Sequence, residues 1–238
     1  MSTTHFVTVS SLALCQRCPR LLYFQKHKKA RSAWRVGIEG NGYAYGSLFH
    51  KRIARPFFEA ASMDGPLCFE LAEALRYGSS SNRASELENS LECFVREKFF
   101  NPLLEELLSQ RGSQNKIIPL ASAAASLVRA ISAFLSDIPS LRNISDRDLH
   151  SIFIRPEQKL KADYYSQGRI LNISGCYDAL LFNPDNATAT IFEFKGYRKS
   201  DLAVPMTQGI IYAWLLLQTT GVLPAVTVFH LDEEDSID

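Results

Sequence analysis

The chain has 238 residues, of which 46% are hydrophobic and 21% are charged, as expected for a globular protein with a well-formed core. No apolar run reaches the roughly 18 residues of a membrane-spanning helix, and no basic segment precedes an N-terminal apolar stretch, so we expect neither membrane association nor a signal peptide. Five cysteines form no even framework for disulfides, which favours a reducing compartment and therefore a cytoplasmic protein.

The formal net charge of +1 conceals an uneven distribution of charge along the chain. Residues 1–60 contain ten Lys and Arg residues against two Glu residues, whereas the last eight residues, LDEEDSID, contain five acids and no base. A basic region of this kind suits a polyanion such as nucleic acid. The alternative interpretation is an ordinary solvated surface.

Two helices are predicted in the N-terminal region, with a loop between them. The stretch SSLALCQRCPRLLYFQKHKKA is predicted to be a helix that is capped by Ser10 or Ser11 and that starts or kinks at Pro19. The Gly-rich and aromatic stretch RSAWRVGIEGNGYAYG is predicted to be a loop. The next stretch, SLFHKRIARPFFEAAS, is predicted to be a helix that is interrupted or bent near Pro56.

The middle of the chain has a helical pattern. Apolar residues recur at three- and four-residue spacing from about Ser81 to Ser136, which predicts at least two more helices. We interpret this block as a helical insertion at about residues 56–148 of a single domain that covers residues 1–238, with the core of the domain at about residues 149–230.

Strands are predicted after Asp148. The stretches LHSIFIRPEQKLKADYY, RILNISGCYDALLFN and TATIFEFKGYR are strand candidates that could form an antiparallel meander, with a turn at PDNA. A helix, PMTQGIIYAWLLLQTTG, has Pro205 near its first turn and Gly221 just past its end, and LPAVTVFHL is a final strand. The predicted fold is α/β, with a mixed central sheet flanked by helices.

One predicted strand, IFEFK, carries two charged residues in an apolar run. Side chains alternate along a strand, so Glu193 and Lys195 share one face. Asp178 comes near Glu193 if the two strands pair across the turn. Because buried charges must be paired or bind a metal, two carboxylates beside a lysine suggest a Mg²⁺ site at which Lys195 orients or deprotonates a water molecule. An exposed ladder of charges on the strand is the alternative.

Asp178, followed by EFK at Glu193 to Lys195, resembles the signature of the PD-(D/E)XK nuclease superfamily. Other segments are similar to motifs of its RecB-like exonuclease branch, which includes CRISPR-associated RecB-like exonucleases. SSLALCQRCPRLLYF, which contains Arg20 and Tyr23, resembles the branch's Ser-x-x-x-Cys-Pro-Arg-x-x-Tyr segment.

Three further segments match that branch in the same order. GSLFHK resembles its Gly-x-x-x-His motif and contains His50, RPEQKL resembles its acidic strand and contains Glu157, and QGIIYAW resembles its Gln-x-x-x-Tyr motif, with Gln208 and Tyr212. The stretch at about residues 56–148 matches no motif of the branch.

The resemblance implies a restriction-endonuclease-like core that hydrolyses DNA phosphodiester bonds with Mg²⁺ or Mn²⁺. It implies a metal held by side chains and one backbone carbonyl, namely those of His50, Asp178, Glu193 and Phe194 (the carbonyl). Lys195 would act on the attacking water. The residues implied to contact DNA are Arg20, Tyr23, Gln208 and Tyr212. Glu157 could be a further ligand, support a ligand, or pair with a basic neighbour.

The resemblance also favours an exonuclease acting on single-stranded DNA or DNA ends, with a helicase or another DNA repair or antiviral defence protein as its partner. The alternative is a non-catalytic DNA-binding or adaptor subunit that keeps the nuclease fold. The presence of both acids and the lysine argues against this alternative, because a decayed site usually loses one of them.

The cysteines depart from the pattern of that branch. Many of its members hold a [4Fe–4S] cluster with one N-terminal cysteine and three cysteines after the nuclease core. Here Cys15 and Cys18 have Cys-x-x-Cys spacing, but no cysteine follows Cys176. We therefore expect no iron–sulfur cluster. Two alternatives stay open: ligation by Cys15 and Cys18 together with Cys68 and Cys93, or a C-terminal segment that this chain lacks.

Overall fold

The structure, a computed structural model, describes residues 4–17, 19, 46–75, 83–110, 114–139, 145–195 and 203–230. Within these ranges the chain has a mixed α/β fold in which two small mixed sheets are flanked by helices. The predicted α/β class is confirmed. The single central sheet of the prediction is divided into two sheets.

The chain begins with a strand that the sequence reading missed. Strand β1 (Thr4–Thr8) leads directly into helix α1 (Val9–Arg17). The Thr8 Oγ1 accepts a hydrogen bond from the Ser11 backbone N–H at 3.2 Å, which is the bond that a residue capping a helix N-terminus makes. The cap is therefore Thr8, and the prediction of Ser10 or Ser11 was wrong. The predicted loop lies outside the described residues up to position 45.

Helices form most of the described chain between positions 46 and 152, as predicted. They are α2 (Arg55–Ser62), α3 (Pro66–Leu75), α4 (Arg83–Val95), α5 (Asn101–Ser109), α6 (Ile117–Ser136) and α7 (Asp146–Ile152), with π-helical turns at His50–Ala54 and Arg96–Phe100 and a 3₁₀ turn at Gln114–Lys116. Their apolar faces share one hydrophobic core with strands of the second sheet. The boundaries of an insertion stay a prediction.

Helix α7 replaces the start of a predicted strand. The Ser145 side chain accepts a hydrogen bond from the Asp148 backbone N–H, and the Asp148 carboxylate accepts one from the Ser145 backbone N–H, so the two residues form a capping box. Leu149 and Ile152 are then fully buried on one face of the helix. The β-branched and aromatic residues of this stretch suggested a strand, but the local cap starts a helix before them.

The strands are β2 (Phe153–Ile154), β3 (Lys159–Ser166), β4 (Arg169–Cys176), β5 (Ala179–Asn183), β6 (Thr188–Lys195) and β7 (Ala225–His230). The first sheet has the order β1-β4-β3, with β1 parallel and β3 antiparallel to β4. The second has the order β2-β5-β6-β7, in which only β6 and β7 are parallel. The predicted single meander was wrong, because the chain leaves one sheet after Cys176 and enters the other at Ala179.

Helix α8 (Ala203–Thr220) contacts strands of both sheets. Gly221, with φ of +77°, follows its last residue, and its backbone N–H donates to the Leu217 carbonyl at 2.9 Å. A glycine ends many helices in this way because it adopts a positive φ without steric cost. The predicted helix, its terminal glycine and the final strand β7 are confirmed.

One helical stretch, Gln114–Ser136, is long and apolar enough to cross a membrane by length and composition. Buried core helices of soluble proteins pass the same test, and eight side chains of α6 are buried within the protein. The expectation that the protein does not associate with a membrane stays a prediction.

Candidate active site

A hairpin of β5 and β6 brings Asp178 opposite Glu193. The strands pair antiparallel with Ala179 across from Phe192, and the same register places Asp178 across from Glu193. The turn at residues 184–187 is stabilised by side chains, since the Asn183 Oδ1 accepts from the Asp185 N–H at 2.9 Å. The predicted pairing across this turn is confirmed.

The Asp178 carboxylate contacts both its own sheet and a helix. Its Oδ2 accepts a hydrogen bond from the Phe194 backbone N–H at 2.8 Å. Its Oδ1 lies 3.3 Å from the Nε2 of His50. The structure thus brings together two residues that are distant in sequence and that were both predicted to belong to the site.

A distorted helical turn presents His50 to the sheet. Residues 46–49 are α-helical, His50–Ala54 form a π-helical turn, and α2 begins at Arg55 with Pro56 in its first turn. Proline has no N–H to donate to the preceding turn, and π-turns inside helices are frequent at functional sites. The predicted irregularity near Pro56 is confirmed. The Phe194 ring packs 5.6 Å from the Phe49 ring and 6.2 Å from the His50 ring, which fixes the position of the imidazole.

The surroundings of His50 are strongly anionic. The Asp178 carboxylate beside Nε2 raises the pKa of His50 above its ordinary 6.5, although burial acts in the opposite direction. Glu157 and Glu193 raise the same pKa through their charges. Three carboxylates around one imidazole create a local field that favours a cation.

Glu157 pairs with a basic residue that the sequence reading missed. Its Oε2 lies 2.8 Å from the Arg55 Nη1, and its Oε1 lies 3.9 Å from the His50 Nε2. Glu157 also has a φ of +55°, a left-handed conformation that is uncommon for a residue with a side chain. Of the roles predicted for Glu157, the pairing with a basic neighbour is therefore present. No sequence pattern pointed to Arg55, because this contact depends on the fold.

Strand β6 carries the other predicted residues of the signature. Glu193 is 4% exposed and Phe194 is 9% exposed, so neither lies on an open surface. The backbone of Lys195 is part of the strand and pairs with His230 of β7. The Lys195 side chain lies outside what the structure describes.

Tyr212 supports the loop that carries Asp178. Its side chain is 4% exposed, and its hydroxyl donates to the Cys176 carbonyl at 2.7 Å. Burial, with additions from Glu193 and Asp178, raises the pKa of Tyr212 well above its ordinary 10, so the hydroxyl keeps its proton. This contact gives Tyr212 a positioning role, and a direct contact with DNA stays a prediction.

Gln208 lies one turn before Tyr212 on α8 and is also buried. Its Nε2 is 3.4 Å from the Ser10 Oγ of α1, while its Oε1 finds no hydrogen-bond partner within the described ranges. Ser10 was predicted as a cap and instead contacts this glutamine. The DNA-contacting role of Gln208 stays a prediction. Arg20 and Tyr23, the other two residues predicted to contact DNA, lie outside the described residues.

The four cysteines that the structure describes are free thiols. Cys15 lies on α1, Cys68 is buried on α3, and Cys93 and Cys176 are exposed. Cys68 contacts the His150 Nε2 at 3.2 Å. Cys18, the second residue of the Cys-x-x-Cys pair, lies outside the described residues.

The donor set at Asp178 fits a divalent cation in part. Among the described residues, no three His, Cys, Asp or Glu side chains converge as a ready-made metal site. However, the His50 Nε2 is buried without a well-directed hydrogen bond in the described structure, and the Asp178 Oδ1 lies 3.3 Å away. Neighbouring ligands of an octahedral ion with bonds of about 2.1 Å lie about 3 Å apart, so these two atoms suit one ion.

Comparison with known proteins agrees with this geometry. A family model described as the PD-(D/E)XK nuclease superfamily matches residues 7–235, which is nearly the whole chain. A search of curated proteins found no match. The matched region includes Asp178, Glu193 and Lys195 in the order of the superfamily's signature, on a mixed α/β fold. The chain belongs to the PD-(D/E)XK nuclease superfamily.

Proposed function

We propose that the protein is a metal-dependent deoxyribonuclease that hydrolyses phosphodiester bonds at Asp178, Glu193 and His50. The observation that carries the proposal is the approach of the His50 Nε2 to the Asp178 Oδ1 at 3.3 Å, at the end of the hairpin that bears the superfamily's signature. The superfamily generally uses divalent metals, and the charges of Asp178, Glu157 and Glu193 all act on His50 here.

Different residues of this chain would bind the metal ion and orient the attacking water molecule. Asp178, Glu193 and His50, with the Phe194 carbonyl, would hold Mg²⁺ or Mn²⁺, and the nitrogen donor favours acceptance of Mn²⁺. The bound ion would neutralise charge on the phosphate and lower the pKa of a water molecule. Lys195 would orient that water molecule or accept its proton.

Supporting residues would keep the ligands in place. The Phe194 N–H donates a hydrogen bond to one carboxylate oxygen of Asp178, and the Tyr212 hydroxyl donates one to the Cys176 carbonyl, two residues before Asp178. The Arg55 guanidinium pairs with Glu157, which keeps that carboxylate beside His50. Such supporting contacts orient ligands, and their loss typically weakens metal binding by about 10- to 100-fold.

The substrate form rests on sequence resemblance. The N-terminal Cys-Pro-Arg segment and the Gln208 and Tyr212 motif are similar to those of RecB-like exonucleases, which favours single-stranded DNA or DNA ends. The same resemblance suggests a helicase or another repair or defence protein as partner.

The test is a cleavage assay with purified protein. End-labelled single-stranded and double-stranded DNA is incubated with Mg²⁺, Mn²⁺ or EDTA, using wild type, Lys195→Ala and the control Lys116→Ala, which removes a lysine on the 3₁₀ turn. We expect metal-dependent cleavage that Lys195→Ala lowers by at least about 100-fold and that Lys116→Ala leaves unchanged. DNA binding by wild type without cleavage in either metal would refute the proposal in favour of an adaptor.

A further inference from the structure

The first sheet has one face that α8 does not cover. Strand β3 alternates, with Leu160 directed towards the core and Lys159 and Lys161 exposed. Tyr165, further along the same face, is 70% exposed. A sheet that packs on only one side normally presents polar residues on the other, so an exposed aromatic ring here calls for an explanation.

A second aromatic side chain lies on the same face. Phe6 of β1 pairs in register with Asn172 of β4, which in turn pairs with Asp163 of β3. The Phe6 side chain is 69% exposed, whereas its neighbour Val7 is buried in the core. We name this surface the open face and define it by its exposed residues Phe6, Lys159, Lys161, Asp163 and Tyr165; Asn172, which lies between Phe6 and Asp163, is buried.

The open face begins next to the candidate active site. Lys159 pairs with Cys176, which is two residues before Asp178, and Lys159 is itself two residues after Glu157. From Lys159 to Tyr165 the strand advances six residues, or about 20 Å at about 3.3 Å per residue. The two lysines therefore lie near the site, and Tyr165 lies at the far end of the face.

The chemistry of the open face matches that of an unpaired nucleic-acid strand. Proteins that bind single strands combine cationic groups that follow the phosphates with aromatic rings on which unstacked bases stack. The lysines supply the first component, and Phe6 and Tyr165 supply the second. Asp163 is held by the Asn172 amide at 2.5 Å, and its carboxylate would repel a phosphate but can accept hydrogen bonds from base N–H groups.

We propose that the open face is a binding track for single-stranded DNA that leads to Asp178 and His50, an inference that rests on the proposed nuclease function. A duplex keeps its bases stacked inside, so it cannot use Phe6 and Tyr165 in this way. The track would therefore make the enzyme select single strands, with a phosphate near Lys159 and bases on the two aromatic rings.

The first test measures binding in EDTA, where metal-dependent cleavage is absent. A labelled oligothymidylate of about 16 nucleotides is titrated with wild type, Phe6→Ala, Tyr165→Ala and the control Tyr164→Ala by fluorescence anisotropy. Tyr164 lies on the opposite face against Trp214 and is 50% exposed, so it is a matched control. We expect Phe6→Ala and Tyr165→Ala each to weaken binding by at least about fivefold, and Tyr164→Ala to bind as wild type does.

The lysines give an independent readout. The slope of log K for binding against log salt concentration should become less negative by about 0.7 in Lys159→Ala and in Lys161→Ala, because each variant loses one phosphate contact. Thermal melting of every variant checks that the fold is retained. The binding track would be overturned by any of three results. Phe6→Ala and Tyr165→Ala could bind as tightly as wild type, Tyr164→Ala could lose as much affinity as they do, or wild type could fail to bind the oligothymidylate.

Cleavage then separates this proposal from the one on which it rests. With Mg²⁺ or Mn²⁺, Phe6→Ala and Tyr165→Ala should raise the KM for the oligothymidylate at least about fivefold, yet hydrolyse bis(p-nitrophenyl) phosphate as wild type does. An unchanged KM with normal cleavage refutes the track and leaves the nuclease. If wild type cleaves nothing but binds the oligothymidylate, and the two aromatic variants lose that binding, the proposed nuclease function is refuted and the binding track is retained.

Discussion

Substitution of Gly175 by Ala tests whether close packing around β4 holds the candidate site together. A Cβ atom at Gly175 would lie 2.6 Å from the Val9 Cγ2 and 2.8 Å from the Tyr212 Cε1, so α1, α8 or the strand must shift. Overpacking of this kind costs about 1–3 kcal/mol. If Tyr212 moves, the Cys176 carbonyl also loses its hydrogen bond, which adds about 1 kcal/mol. We therefore expect Gly175→Ala to lower the free energy of unfolding by about 2–4 kcal/mol.

Urea unfolding measures this loss, and cleavage of single-stranded DNA measures its effect on the site. Gly65→Ala is the control, because a Cβ atom at Gly65 would have no neighbour within 4 Å. This substitution should lower the free energy of unfolding by less than about 1 kcal/mol. In a Val9→Ala background, the cost of Gly175→Ala should be smaller, since the nearest clashing atom is gone. Equal stability of Gly175→Ala and wild type would refute the packing argument, and an equal cost in both backgrounds would refute the role assigned to Val9.

Three further substitutions address the site itself. In EDTA, protonated His50 stabilises the fold below pH 6.5, and this contribution is lost as pH rises through the raised pKa of His50. In urea titrations, the difference in free energy of unfolding between wild type and His50→Gln should therefore narrow towards alkaline pH. A difference that stays constant with pH would contradict this. Asp178→Asn keeps an acceptor for the Phe194 N–H but removes the charge, so it should fold normally and lose at least about 100-fold in cleavage rate; full activity would exclude Asp178 from the site. Tyr212→Phe should lower the free energy of unfolding by about 1 kcal/mol because the hydrogen bond to the Cys176 carbonyl is lost, and a neutral effect in urea would show that this bond contributes nothing.

Local patterns in the sequence predicted the hairpin and the last helix. The turn residues after Asn183 and the alternation in β6 are short-range features, and so is the glycine that ends α8 at position 221. These predictions needed no knowledge of the rest of the chain. They also supplied the most informative inference, that Asp178 and Glu193 face each other across the hairpin.

Features that depend on distant contacts were missed. Strand β1 is short, and it pairs in parallel with β4, far along the chain, so its own five residues give a weak signal. The change of sheet after Cys176 was also missed, because a continuous apolar pattern does not show where a strand ends and its neighbour begins. The approach of His50 to Asp178 followed only from the resemblance to a nuclease family, since a histidine among apolar helical residues is more often an ordinary packed residue.

The change of sheet explains why Asp178 is held so firmly at the end of the hairpin. If β5 extended two residues further towards its start, the register would place Tyr177 opposite Phe194. The backbone instead turns towards the first sheet, and the Asp178 Oδ2 accepts the Phe194 N–H. A single carboxylate thus satisfies a buried donor with one oxygen and faces His50 with the other. Because the first role needs only an acceptor and the second needs a charge, Asp178→Asn separates them, whereas Asp178→Ala would remove both.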